Sequence, residues 1–135
     1  MKEDQTFIKY YEIGPYPVYF GFAQNPKNFQ KELNRLGIKE SIDFIKENKA
    51  GITHFLENKK HLVIIICIDF SDKHSLSEIC GLVTHECVHA WQGLLDYIGE
   101  KQKPGDEIEA YHIQSMVQYI LSTILKNKNN YSSLV

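Results

Sequence analysis

An excess of charge, a long apolar run and a paired set of cysteines are all missing from this chain. Fifteen Lys and Arg stand against 17 Asp and Glu, a formal charge of −2. Such a balance offers nothing to neutralise phosphates, so neither nucleic acid nor an anionic membrane surface is an expected partner. The lysines at Lys59–Lys60 and Lys126–Lys128 read as a solvated turn and a polar tail. The longest apolar run, Leu62 to Ile68, falls well short of the roughly 20 residues that cross a bilayer. Three cysteines, Cys67, Cys80 and Cys87, form an odd set without paired spacing. That excludes a disulfide framework and points to a reducing compartment. The start, Met1-Lys2-Glu3-Asp4-Gln5, is polar with no apolar core behind it, so a cytoplasmic location is expected. No repeat, low-complexity tract or linker divides the sequence.

What is present suits one ordinary globular domain over residues 1–135, with about the last ten residues frayed. Residues 15–23 are aromatic and β-prone and predict an early strand. Asn25-Pro26 then opens a helix, Asn as N-cap and Pro at the first helical position. Phe29, Leu33 and Leu36 form its apolar stripe, and Gly37 stops it. Residues 39–49, with Ile42 and Ile45, suggest a short second helix. Gly51 to Glu57 and His61 to Phe70, around Asn58-Lys59-Lys60, read as a hairpin. Its second strand is too continuously apolar for one wet face and is expected inside the sheet or beneath a helix.

Ser75-Leu76-Ser77-Glu78 fits a capping box. A helix is expected from there to about Tyr97, with Gly99 past its end. Gly81 costs about 1 kcal/mol in its interior and suggests close packing there. Asp106 is placed to cap a last helix running to about Leu125. The sum is an α+β domain: a small sheet with a hairpin, packed against a long helix and a following antiparallel helix.

The long helix carries His85-Glu86-Cys87-Val88-His89, a His-Glu-x-x-His pattern. At about 100° per residue His85 and His89 share one face, a turn apart. Two neutral imidazoles so placed can bind one Zn²⁺, and Glu86 can reach a metal-bound water as general base. Chance would supply the pattern roughly 0.02 times in a chain of this His and Glu content. Cys87, about 200° from His85, faces elsewhere and reads as packing. Trp91 reads as a buried anchor, and Gln92 continues the histidine face. His54, His61 and His74 lack ligand spacing and read as surface or loop residues.

A catalytic zinc site needs a third protein ligand. Glu109, 20 positions beyond His89, and Glu107 are the candidates on the following helix. They point about 200° apart, so only one can face the metal. Glu109 is preferred as the deeper of the two, and Glu107 complements the helix N-terminus. His112 shares the Glu109 face and is either a donor to a substrate oxyanion or a partly exposed histidine. Tyr111 points the other way, towards a core. Asp106 is either the N-cap or an orienting partner for a ligand imidazole.

The helical His-Glu-x-x-His followed by a helical Glu resembles the gluzincin branch of the zincin metallopeptidases. The wider wording is Pro-Val-Tyr-Phe-Gly-Phe, His-Glu-x-x-His-x-Trp-Gln, Ile-Gly-Glu, Pro-Gly and Glu-x-Glu-Ala-Tyr-x-Ile-Gln. Over residues 15 to about 120 it resembles a group of small phage and prophage proteins regarded as metallopeptidases of unknown substrate. The resemblance implies one Zn²⁺ on His85, His89 and Glu109, Glu86 as base, and a peptide or protein substrate inside a bacterial host cell. Many gluzincins have an acid four positions after the ligand Glu; here that position is Ile113. The alternative is a zinc-stabilised phage protein that binds or supports a partner without turnover.

Overall fold

The computed structural model describes residues 8–57, 61–69, 74–100 and 107–126. It is a small α+β fold with one four-stranded mixed sheet and three helices. The chain divides into two compact units, Met1–Ile68 and Asp69–Val135. The first contains the sheet and α1, and the second contains α2 and α3.

In the first unit the strands are β1 (Tyr10–Glu12), β2 (Val18–Ala23), β3 (Gly51–Glu57) and β4 (Leu62–Ile68), in the order β1-β2-β4-β3. The expected hairpin is there: β3 and β4 pair antiparallel, Gly51 opposite Ile68 and Glu57 opposite Leu62. Its turn lies outside the described residues. β4 sits between two neighbours, and all seven of its side chains are buried, as its unbroken apolar run requires. Its other neighbour, β2, runs parallel to it, Val18 beside Leu62 and Ala23 beside Cys67. β3 returns the chain between these parallel neighbours, and α1 (Pro26–Arg35) lies in the connection from β2 to β3.

Helix α1 begins as its sequence dictates. The Asn25 side chain accepts from the Asn28 N–H at 2.8 Å, and Pro26 occupies the first turn. It ends at Gly37, whose φ of 76° is left-handed. Phe29 and Leu33 pack with Ala23, Leu56, Val63, Ile65 and Cys67 on one face of the sheet. Ile42, Phe44 and Ile45 close over the same cluster.

Two expectations need correcting in this unit, and one element is new. Residues 39–49 form no helix; they cross the sheet as irregular chain with Asn48 at a φ of 65°. The apolar stripe is too short to hold a helix, and packing of Ile42 and Ile45 against the α1 cluster decided their path. His54 is no surface histidine but a buried one on β3, stacked on Phe29 with ring centroids 4.6 Å apart. Its Nε2–H donates to the Phe44 carbonyl at 3.0 Å, which satisfies a polar edge inside an apolar cluster. Strand β1 is an addition, too short to leave a periodic signal.

β1 is tied down by a charged contact. The Tyr10 hydroxyl donates to Glu32 Oε2 at 2.5 Å, and Arg35 donates to both oxygens of the same carboxylate. Glu32 is only 1% exposed, so this bidentate partner compensates its charge where water does not. Burial, and then the adjacent Glu32, push the Tyr10 hydroxyl well above the ordinary phenol range. Tyr10 reaches Glu32 across Gly21, its partner in the ladder. A Cβ on Gly21 would stand 2.7 Å from Ile8 Cγ2 and 2.9 Å from Tyr10 Cε1, inside van der Waals contact with both. Gly21→Ala is therefore expected to lower unfolding stability by about 1–3 kcal/mol, read in a urea titration. An unchanged midpoint would show that β1 yields without cost.

Candidate metal centre

Helix α2 (Leu76–Ile98) carries the His-Glu-x-x-His residues in the second unit. Its start is fixed by the expected capping box. The Ser75 N–H donates to Glu78 Oε1 at 3.0 Å, and the Glu78 N–H donates to Ser75 Oγ at 3.3 Å. Gly99, left-handed at a φ of 77°, ends the helix. Ile79, Val83, Cys87, Ala90, Trp91 and Leu94 are its buried apolar side. Burial pushes the Cys87 thiol up to about 12, so it stays protonated and packs rather than ligating.

His85 and His89 project from the exposed side. Their Nε2 atoms stand 3.0 Å apart, one N–H donating to the other ring's bare nitrogen, with the rings edge to face. Two nitrogens held about 2.05 Å from a single zinc at a tetrahedral angle would be about 3.3 Å apart. A few tenths of an ångström of opening, with the donated proton moved to Nδ1 of its own ring so that both Nε2 lone pairs are free, would convert the hydrogen-bonded pair into a chelate. Glu86 lies between this face and the apolar side, 6% exposed, so its side chain has less freedom than a surface glutamate. The helix thus holds the two imidazoles together, with Glu86 beside them.

The third ligand is not brought in. Among the described residues no group of three or more His, Cys, Asp or Glu is placed to hold a metal ion. Glu109 is partly exposed and Glu107 exposed, both in the first turn of α3 (Glu107–Lys126). Helix α3 touches α2 where His112 stacks on Trp91, ring centroids 4.9 Å apart and planes 21° from parallel. From that contact His85 and His89 lie towards the start of α2, and Glu109 lies towards the start of α3. For a helix that returns along its predecessor those directions diverge, which accounts for the separation. Asp106 lies outside the described residues.

Packing details amend other sequence readings. Tyr111 is 63% exposed rather than core; Met116, Ile120 and Ile124 supply the buried side of α3. Among the described residues nothing lies within 4 Å of where a Cβ on Gly81 would stand, so the close packing expected at this glycine is not found there. Trp91 is buried, as expected of an anchor, and His112 is partly exposed against it. His61 rests against the Tyr19 ring at 5.2 Å. His74 lies 3.6 Å from Asp69 and 3.9 Å from Glu78. The Tyr10–Glu32–Arg35 cluster around the buried Glu32 went unread in the sequence, although the Glu32/Arg35 spacing of three on a helix was its visible trace.

No family model, no curated protein and no solved structure matches this chain. Among the described residues no helix is long and apolar enough to cross a membrane.

The cap gives α2 a pH dependence of known sign. Hydrogen bonds from the Ser75 backbone and then its side chain hold the Glu78 carboxyl below its ordinary value. A group depressed in the folded state contributes stability above its unfolded pKa and loses it as acid protonates it. Glu78→Gln should therefore lower the melting temperature near neutral pH. The gap to wild type should close as pH falls through the carboxylate range to about 3. A gap independent of pH would assign the effect to packing instead.

Proposed function

We propose that this chain is a zinc-dependent peptidase whose metal sits on His85 and His89. The observation that carries the reading is the pair itself, two exposed imidazoles on one helical face with Nε2 atoms 3.0 Å apart and Glu86 beside them. The likeness of the sequence wording to small phage and prophage metallopeptidases supports it. Zinc, when bound, supplies a Lewis acid that polarises a peptide carbonyl and acidifies water towards neutrality.

The protein's own groups do the rest. The helix sets the separation of the two imidazoles, so binding needs little rearrangement of α2. Glu86 takes the proton of the attacking water and returns it to the leaving amine. In this reading Glu109 would supply the third ligand, which requires α3 to shift from the register marked by Trp91 and His112, metal binding and ordering being coupled in free energy. His112, held on Trp91, serves as a hydrogen-bond donor to the carbonyl oxygen. A second reading is favoured by the lack of a third donor beside the pair among the described residues: a zinc-stabilised protein that binds a partner without turnover. It expects metal removal to lower the melting temperature, with no cleavage under any condition.

Zinc content and cleavage of a peptide library, read by mass spectrometry, separate these readings. Glu86→Gln should keep its zinc and lose hydrolysis; hydrolysis at the wild-type rate would remove Glu86 as base. Glu109→Ala should bind zinc far more weakly against a competing chelator. Glu107→Ala should keep it and cost only about 0.3–1 kcal/mol at the helix end. The reverse pattern would make Glu107 the third ligand.

A further inference from the structure

We propose that two copies of this chain share one zinc ion through their His85–His89 pairs, forming a zinc-linked dimer. The inference rests on the reading that this pair binds zinc, and is independent of whether the protein cleaves peptides. Structural zinc is satisfied by four protein donors, and His85 and His89 are two. Among the described residues no third His, Cys, Asp or Glu is placed with them to hold a metal ion. A second copy presents the same two imidazoles at the same 3.0 Å separation. A two-fold axis through the ion then completes four nitrogen ligands with one self-complementary surface.

The surroundings of the pair favour this occupant. Both rings are exposed, and Gly81, one turn before His85, is exposed with nothing within 4 Å of its Cβ position. On that side an approaching helix meets backbone rather than a side chain. The exposed acids Glu78 and Asp96 flank the pair on the same side, seven residues to either side, and α2 carries no Lys or Arg. Two such faces repel each other, and a dication between them offsets the repulsion. Association should therefore depend on the metal. With four nitrogens bound the ion keeps no open position, so the dimer would be a closed, resting form of the proposed peptidase.

Sedimentation velocity of the untagged, reduced chain during titration with zinc chloride tests this. The expected result is a dimer that peaks near half an equivalent of zinc per chain and recedes in excess zinc, as each pair takes its own ion. His85→Ala and His89→Ala should stay monomeric throughout. Glu109→Ala should still form the dimer, because the shared ion does not use Glu109. A wild-type chain that binds one zinc and stays monomeric at every ratio would overturn the proposal and leave the peptidase reading standing. Loss of the dimer in Glu109→Ala, or its persistence in His85→Ala, would also overturn it. Failure to bind zinc at all would remove both readings together.

Discussion

Everything in the first unit answers to one constraint: β4 has seven successive side chains and none of them can face water. Such a strand must have a neighbour on each edge and cover on each face. The edges are β3 and β2. Because β2 is parallel to β4 and β3 antiparallel to it, β3 itself carries the chain back to the start of β4, and the connection from β2 to β3 is left to cover a face. That connection carries α1, which brings Phe29 and Leu33 onto the face shared by Ala23, Val63, Ile65 and Cys67. Once α1 is there, Glu32 follows three residues behind Phe29 and is carried into the same buried side. Its carboxylate then needs Arg35 and Tyr10, and Tyr10 needs a partner strand without a side chain, which Gly21 provides. A cluster of charge thus descends from an apolar strand.

The second unit answers to helical geometry. A four-residue interval fixes about 6 Å of rise and 40° of rotation, enough to bring two imidazole nitrogens within 3.0 Å. That proximity needs nothing beyond a continuous helix, which the Ser75–Glu78 box and Gly99 secure at its two ends. A third ligand on another helix is a different matter. It depends on the register between α2 and α3, and the stacked Trp91 and His112 mark where that register lies. Local geometry therefore delivers the pair, while tertiary packing withholds Glu109.

The same division explains how much could be read in advance. Asn25-Pro26, Gly37, the capping box and Gly99 act within a few residues, and each ended or began a helix where its chemistry directs. The apolar run of β4 placed it inside the sheet. The His85/His89 face could be read because a helix repeats every 3.6 residues. What could not be read depends on distant partners. Ile42 and Ile45 have helical spacing but are held in irregular chain by the α1 face. His54 looks like any histidine until Phe29 and the Phe44 carbonyl enclose it. Tyr111 is aromatic, yet it falls on the exposed side of a helix whose buried line is Met116, Ile120 and Ile124. The position of Glu109 belongs with these, since a spacing of 20 residues counts chain length and not register.

Gly81 carries the last step of this reasoning. In a helix interior glycine costs about 1 kcal/mol against alanine, and such a cost is ordinarily offset by close packing. Here the Cβ position is open, so no neighbour in the described structure offsets it. The residue lies one turn from His85, on the side that also carries both imidazoles. A helix that omits a side chain there gains nothing within the chain but leaves its backbone approachable from outside. Both readings of the metal pair use that approach. A peptide reaching the zinc would pass along it, and a second copy sharing the ion would cross it. If the pair holds zinc as proposed, the two occupants would exclude each other at one ion, and peptide access and zinc-linked pairing would compete for a single helical face.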